Sequence, residues 1–305
     1  MNNKTENTKS QMARTFEYRK IDAFTSGNSL GNPAACLYLT NEQILTESEM
    51  LSIAQQHKSF VSEVIYCVNQ AKNQFKLIYY SSECEVDFCG HGTIACMYSL
   101  IRENADLLGL KEINIYTNKK GLLTVYNEIE EQDAVYITAP NPKNIGSNIA
   151  LNEILENMSI NRNQISDLYP VDIIDAGLKT LIIPIETLSD EINIFPNEQV
   201  LKSFCLTKNI DIILIYTLET SDCQNKAHTR VFAPKFGYLE DPATGSGNSA
   251  FSHYMLKNNI WNGNPIAIEQ GGIGSIFNTV NLIYKGNTIL FGGKATTRIK
   301  GVYYL

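Results

Sequence analysis

The segment Gly90-His91-Gly92-Thr93-Ile94-Ala95 decides the fold, because a similar segment, Gly245-Ser246-Gly247-Asn248-Ser249-Ala250, follows it 155 positions later. A second pair of segments, Ile21-Asp22-Ala23 and Ile174-Asp175-Ala176, repeats at an offset of 153. Two matches at nearly the same offset, about half of the 305 residues, favour an internal duplication over chance. The sequence therefore predicts two similar halves.

Both Gly-x-Gly segments follow an acidic stretch and precede an amphipathic run, at residues 94–101 and 251–256, so each predicts a loop followed by a helix. Apolar and β-branched stretches predict more strands than helices. These strands are expected at residues 75–80, 113–116, 122–126, 134–138, 212–216 and 280–284, and over part of residues 173–185. The predicted fold class is α/β (α+β).

The boundary between the halves is expected at Ala139-Pro140-Asn141-Pro142, since two prolines remove backbone donors and interrupt both helix and sheet. We therefore predict a first half of residues 14–139 and a second half of residues 140–294. Residues 1–13 are polar and lack an apolar core, which predicts a disordered lead-in and argues against a secretory signal.

Composition excludes several classes of partner. A formal net charge of −7, without a Lys/Arg cluster beside aromatic residues, argues against nucleic acid. No apolar run approaches the roughly 20 residues that cross a bilayer, so we expect no membrane partner. Seven scattered cysteines, an odd number, predict reduced thiols and a cytoplasmic location. Cys84, Cys89 and His91 suggest zinc, but a second tight pair is missing, so we expect no metal.

Glycine before a helix lets the backbone approach a ligand, while the unpaired amides of the first turn point outward. Two such helix N-termini facing one cleft would suit a small carboxylate or phosphate, although either turn alone could be an ordinary helix cap. Neither turn is a dinucleotide fingerprint or a P-loop, so we expect no cofactor. The predicted substrate-binding residues are Gly90, Gly92, Gly245, Ser246 and Gly247.

Four motifs carry a resemblance to a known family: Gly31-Asn32-Pro33-Ala34-Ala35, Ser62-Glu63, Cys89-Gly90-His91-Gly92 and Glu240-Asp241-Pro242-Ala243-Thr244-Gly245-Ser246. In order and spacing they resemble the PhzF-like phenazine-biosynthesis family, from about Arg14 to the C-terminus. The resemblance implies a diaminopimelate-epimerase-like fold, in which each pseudo-symmetric half is a curved mixed sheet around a central helix. It also implies that residues 295–305 complete the first half, and it leaves a homodimer open.

The family resemblance further implies a cofactor-independent isomerase that moves a proton within a small cyclic or amino carboxylate. The motifs place the acid/base on Glu63, with His91 and Asp241 as the other catalytic residues and Ser246 completing the site. A carboxylate with a raised pKa in a dry cleft suits such a transfer. Glu63 lies in the apolar run of residues 60–66, where a glutamate not retained for function would point to solvent.

Other interpretations of these residues remain open. His91 could cap a helix, Asp241 could serve the turn before Pro242, and Asn32 is expected to be a hydrogen-bonding residue near the cleft. His57 lies in a polar run and is predicted to be a surface residue. The alternative functions are an amino-acid racemase or epimerase, for which the second half lacks a thiol to partner Cys89, and a non-catalytic binding protein.

Overall fold

The computed structural model describes residues 14–272 and 276–305, so the predicted lead-in at residues 1–13 lies outside the described residues. The strands are β1 Thr15–Ala23, β2 Asn32–Thr40, β3 Glu63–Ala71, β4 Gln74–Tyr80, β5 Glu85–Val86, β6 Glu112–Thr117, β7 Gly121–Glu128, β8 Ala134–Thr138, β9 Lys143–Asn144, β10 Asp172–Asp175, β11 Lys179–Pro184, β12 Ile212–Thr217, β13 Ala227–Phe232, β14 Glu240–Asp241, β15 Ile266–Gln270, β16 Asn278–Lys285, β17 Thr288–Gly293 and β18 Ala295–Tyr304. The helices are α1 Glu47–Gln56, α2 Gly90–Arg102, α3 Ala105–Leu108, α4 Ile129–Gln132, α5 Leu151–Met158, α6 Leu188–Ile192, α7 Glu198–Lys208 and α8 Gly245–Lys257.

Two ladders of strands have the same order and the same directions. In the first, β1 pairs with β2, β2 with β3 and β3 with β4, after which β4 pairs with both β5 and β6. In the second, β10, β11, β12 and β13 pair in turn, and β13 pairs with both β14 and β15. Each ladder has two parallel pairs at equivalent places, namely β2–β3 and β4–β6 in one, and β11–β12 and β13–β15 in the other. The backbone therefore repeats, as the duplication predicts.

Parallel strands need a crossover, and helices supply it in both halves. Helix α1 lies between β2 and β3, while α6 and α7 lie between β11 and β12. The crossover from β4 to β6 contains α2, and the crossover from β13 to β15 contains α8. Both crossovers begin with a two-residue strand, β5 or β14, that directs the chain towards the start of the helix.

Helices α2 and α8 each fill the inside of a curved sheet. Helix α2 packs against β1, β2, β3, β8 and β18, and α8 packs against β10, β11, β12, β16 and β17. Helix α2 is apolar around most of its surface, which is the pattern of a fully buried helix. Helix α8 buries serines instead: Ser249 Oγ donates to the Gly245 carbonyl at 2.7 Å, so the hydroxyl remains satisfied.

The two halves are joined by an antiparallel pair, β8 with β17. The final strand does not stay beside its chain neighbours, because β18 pairs antiparallel with β1 from Thr15 opposite Tyr304 to Ala23 opposite Ala295. The segment of residues 139–142 lies between β8 and β9. The division of the chain at residues 139 and 140 stays a prediction.

One sequence prediction about a histidine is wrong. His57 is buried, not on the surface: its Nδ1 lies 2.8 Å from the Ile53 carbonyl oxygen and its Nε2 lies 3.1 Å from the Tyr18 hydroxyl. The residue ends α1 and turns inward, whereas its polar chain neighbours suggested solvent. Within residues 14–272 and 276–305, every helix is too short or too polar to span a bilayer.

Candidate active site

Three side chains of the first half meet at the N-terminus of α2. Glu63 is the first residue of β3 and lies opposite Ala34 of β2 in the parallel ladder. Cys89 is the N-cap of α2, and its Sγ accepts the Gly92 amide at 3.3 Å. His91 lies in the first turn of the same helix. The first turn of α2 therefore lies beside the start of β3.

These three side chains form a tight cluster. His91 Nε2 lies 3.2 Å from Glu63 Oε2, and Cys89 Sγ lies 3.7 Å from the same oxygen. Cys89 Sγ is also 3.5 Å from His91 Nδ1. The side chains of Glu63 and His91 are 19% and 13% exposed, so the cluster is largely shielded from solvent. The structure thus brings together two of the three predicted catalytic residues and adds Cys89.

Asp241 approaches this cluster from the second half. Asn32 Nδ2 donates to Asp241 Oδ1 at 2.7 Å and to the Ala243 carbonyl at 2.8 Å. Thr244 Oγ1 donates to Asp241 Oδ2 at 2.7 Å. Asn32 is the first residue of β2, so one side chain ties the first half to the acidic strand of the second half. Its expected role as a hydrogen-bonding residue near the cleft agrees with these contacts.

Further residues that the sequence interpretation missed hold Asp241 in place. Gln270 Nε2 donates to the Asp241 carbonyl at 2.9 Å, and Gln270 Oε1 accepts the Thr244 amide at 3.0 Å. Arg230 is fully buried. Its Nε donates to Glu240 Oε1 at 3.0 Å and its Nη2 donates to Glu240 Oε2 at 2.8 Å. A charged residue directly before the apolar run Val231-Phe232-Ala233 was the signal that could have identified Arg230.

Burial and neighbouring groups raise the pKa values of Glu63 and Asp241 and lower that of His91. Burial, reinforced by the charge of Asp241, raises the pKa of Glu63 to about 7, while a hydrogen bond from Cys89 opposes the rise. Burial lowers the pKa of His91 to about 4 against a hydrogen bond to the Pro33 backbone. Burial also raises the pKa of Asp241 to about 6, opposed by hydrogen bonds from Thr244, the Ala243 backbone and Asn32.

The cysteine at this site behaves differently from a catalytic thiolate. Burial and the neighbouring Glu63 hold the pKa of Cys89 well above its usual value, so it is a thiol at neutral pH. Burial, Asp241, Glu63 and Cys89 together raise the pKa of Tyr238, which marks this tyrosine as another neighbour of the cluster that sequence did not identify. Of these groups, Glu63 therefore has the pKa nearest to neutrality.

The glycines of the two turns make room for protein side chains. A Cβ on Gly245 would lie 2.2 Å from Phe291 Cε2, and one on Gly92 would lie 2.7 Å from Ile65 Cδ1. The glycine requirement therefore comes from packing as well as from any ligand. Among the described residues, Cys89 Sγ accepts the Gly92 amide, but no acceptor binds five other amides at the two helix starts. These are the amides of Gly90, His91, Gly245, Ser246 and Gly247.

A comparison with known families bears on this arrangement of motifs. The family profile described as Phenazine biosynthesis-like protein (PhzC-PhzF) matches residues 21–301. The chain belongs to this family. The resemblance inferred from the motifs around Glu63, His91 and Asp241 is therefore confirmed, over nearly the whole of the described chain.

Proteins similar to this phenazine biosynthesis-like chain are found both by sequence and by structure. A protein of Clostridium acetobutylicum described as an uncharacterized isomerase is 26% identical over 253 residues, which are 82% of each chain. The crystal structure of a PhzF-family protein of Bacillus anthracis superposes with a TM-score of 0.82 at 24% identity, covering 96% of this chain and all of that one. A hydroxyproline epimerase of Agrobacterium vitis, solved with bound trans-4-hydroxy-L-proline, has a TM-score of 0.60 at 11% identity, covering 96% and 93%. The predicted epimerase-like fold is confirmed.

Proposed function

We propose that this chain is a cofactor-independent isomerase that moves a proton within a small cyclic or amino carboxylate, with Glu63 as its single acid/base. The observation that carries the proposal is the placement of Glu63 in a largely buried cluster, with a pKa raised to about 7. Curated relatives described as uncharacterized isomerases support the reaction class.

A group that first takes and then returns a proton works best when its pKa lies near the working pH. Glu63 at about 7 is populated in both protonation states at neutrality. As its carboxylate accepts the proton, the electron pair of the substrate C–H bond moves into the adjacent unsaturated system. The same carboxylic acid then protonates another carbon, so the overall change is a shift of one proton and one double bond.

His91 and Cys89 are assigned supporting roles in this reaction. The imidazole of His91, neutral at pH 7, lies 3.2 Å from Glu63 Oε2 and can share the proton with it. The thiol of Cys89 donates to Glu63 and so keeps its pKa from rising further. Neither group carries a charge at neutral pH that would fix Glu63 in its ionised form.

The unpaired amides of the two helices are proposed to hold the carboxylate of the substrate. A helix N-terminus carries partial positive charge, and amides without an acceptor can donate to an anion. Ser246 adds a half-buried hydroxyl at the start of α8. The substrate would then lie between the halves, with its reacting carbon beside Glu63 and its polar groups near Asp241.

The alternative of a two-thiol racemase is disfavoured by the second half. Thr244 is the N-cap of α8, as Cys89 is the N-cap of α2. A threonine hydroxyl that donates to Asp241 is not a thiolate base. One carboxylate therefore remains the simpler proton carrier.

Solvent-deuterium incorporation tests the proposal. Small cyclic and amino carboxylates are incubated with the protein in D₂O and examined by NMR for carbon-bound deuterium. For a substrate that exchanges, Glu63→Gln should slow incorporation by about 10³-fold or more, because the amide cannot accept the proton. Glu112→Gln, at the exposed first position of another strand, is the matched control and should exchange normally. Full exchange by Glu63→Gln would refute the single-base mechanism.

Location and assembly extend this proposal. All seven cysteines are free thiols, which supports a reducing, cytoplasmic compartment. A homodimer is proposed from the outer strand β18, where Ile299, Val302 and Tyr304 are exposed. Light scattering during size-exclusion chromatography distinguishes a dimer from a monomer of 34.1 kDa.

A further inference from the structure

We propose that Glu63, Cys89 and His91 form a binding site for Zn²⁺, and that zinc bound there blocks the proton-transfer carboxylate. The binding of zinc stands on the geometry of the cluster alone. The inhibitory consequence rests on the proposed function of Glu63.

The donor atoms are spaced as a tetrahedral zinc site requires. Bonds of about 2.0–2.3 Å from Zn²⁺ to nitrogen, oxygen and sulfur place neighbouring ligand atoms roughly 3.3–3.6 Å apart. Here His91 Nε2 and Glu63 Oε2 are 3.2 Å apart, and Cys89 Sγ lies 3.7 Å from the oxygen and 3.8 Å from the nitrogen. Small side-chain movements therefore suffice to bring all three atoms onto one ion.

The three ligands are a nitrogen, an oxygen and a sulfur, a set that favours Zn²⁺ over Mg²⁺ or Ca²⁺, which prefer oxygen ligands. They also leave a fourth tetrahedral position for water or a ligand. Each side chain comes from a fixed part of the backbone, either the start of β3 or the first turn of α2. The site therefore needs little ordering when the metal binds.

A nearby carboxyl group offsets the partial positive charge that the N-terminus of α2 presents to a cation. The carboxyl group of Asp241 lies near enough to Glu63 to raise its pKa. The buried Arg230 does not compete for Glu63, because its guanidinium is held by Glu240 and by the Glu191 and Ile194 carbonyls. A divalent cation at the cluster would thus be attracted by the carboxyl groups of Glu63 and Asp241.

This proposal departs from the expectation of no metal that spacing in the sequence produced. That expectation considered Cys84 as the third ligand, and Cys84 is exposed and outside the cluster. The third ligand is Glu63, which precedes Cys89 by 26 residues and lies beside it because α2 packs against β2 and β3. A zinc ion on Glu63 Oε2 occupies the lone pair that would accept the proton of the substrate.

Cobalt titration tests the site without a substrate. The full chain without a histidine tag is freed of metal with a chelator, kept reduced, and titrated with Co²⁺, whose thiolate complexes absorb in the near ultraviolet. Zinc affinity is then measured by competition. We expect one ion per chain, a thiolate-to-cobalt absorption band, and displacement of Co²⁺ by Zn²⁺ as the order of divalent affinities at such sites allows.

Variants connect the signal to the cluster. Cys89→Ser should abolish the absorption band and lower the affinity for Zn²⁺ by a factor of about ten or more. His91→Asn should lower this affinity by a similar factor. The double variant Cys84→Ser and Cys223→Ser removes the two exposed thiols and should bind like the original chain. Circular dichroism without metal confirms that each variant is folded, and two independent ligand variants protect the test against one that is not.

Two results would overturn the site: no saturable binding by the original chain, or a cobalt band that persists in Cys89→Ser and disappears in the double variant. Given a substrate, Zn²⁺ should also stop deuterium exchange by the original chain, with activity restored by chelator. If deuterium exchange continues undiminished while zinc is bound at the cluster, zinc does not inhibit the reaction. Because binding is measured spectroscopically, failure of the isomerase proposal is distinguishable from failure of the metal site.

Discussion

The two halves of the molecule share a backbone plan and differ in chemistry at one place, the start of the central helix. Helices α2 and α8 both have 13 residues and both follow a two-residue strand. At the equivalent N-caps stand Cys89 and Thr244, and two positions later stand His91 and Ser246. Duplication therefore supplied the scaffold twice, while acid/base groups are concentrated in the first half.

The strands beneath the helices differ in the same sense. Strand β3 begins with Glu63, whereas β12 begins with Ile212 and is buried throughout. The caps differ too, because Cys89 accepts an amide of its own helix and Thr244 instead donates to Asp241. Within the described part of the chain, both helix starts therefore keep unpaired amides, but only the start of α2 also carries the cluster of Glu63, Cys89 and His91.

The equivalent glycines give the largest expected difference between the halves. A Cβ on Gly245 would lie 2.2 Å from Phe291, but one on Gly90 would lie 3.2 Å from the same ring. Gly245→Ala should lower the free energy of unfolding by about 2–3 kcal/mol and Gly90→Ala by less than about 1 kcal/mol. Urea unfolding followed by Trp261 fluorescence measures both, with Gly109→Ala, where a Cβ meets nothing within 4 Å, as control. Equal losses would contradict the packing asymmetry.

Asp241→Asn removes the contribution of the second half to the electrostatics of Glu63. Because the charge of Asp241 raises the pKa of Glu63, the variant should shift the acid limb of the pH–rate profile of deuterium exchange to lower pH. The rate should fall about 10²-fold, since an amide cannot accept from both Asn32 and Thr244. An unshifted acid limb would show that the halves are not electrostatically coupled.

Glu63→Gln should stabilise the fold above neutrality. Burial raises the pKa of Glu63 from its ordinary 4.5 to about 7, so between these values the folded chain keeps a proton that the unfolded chain has lost. The stability of the original chain therefore falls as pH rises through this window, and the variant escapes that loss. Between pH 4 and pH 8, the unfolding free energy of the variant in urea should rise by about 3 kcal/mol relative to that of the original chain, whereas Glu112→Gln should show no such change.

Cys89→Ala distinguishes a supporting thiol from a catalytic one. The thiol hydrogen bond lowers the pKa of Glu63, so its removal should move the acid limb to higher pH. At its own optimum the variant should keep exchange within about tenfold of the original, the cost of one hydrogen bond. Complete loss of exchange, with Cys84→Ala unaffected, would instead support a thiol base.

Much of the fold was predictable because hydrophobic patterning and turn residues are local. The strands expected at residues 75–80, 113–116 and 134–138 lie within β4, β6 and β8, and both Gly-x-Gly segments open the helices expected of them. Hydrophobic periodicity does not predict burial where the residues that cover a side chain are distant from it in the sequence. His57 is buried by Tyr18 and Tyr303, which belong to strands at opposite ends of the sequence.

The site was predictable only in part. Motifs pointed to Glu63, His91 and Asp241, and the structure places all three in one neighbourhood. Nothing local indicated that Asn32 would bridge to Asp241 across 209 positions, or that Gln270 would hold the same turn. Such contacts depend on strand pairing and on the packing of one half against the other, which no window of sequence contains.

Direct titration of Glu63 tests the central claim, that one shielded carboxyl group of the first half holds a proton near neutrality. The protein is labelled with glutamate carrying ¹³C at the side-chain carboxyl, and the resonance missing from Glu63→Gln is followed with pH. We expect a titration midpoint near pH 7. A midpoint near the ordinary 4.5 would show a solvated carboxylate and contradict it.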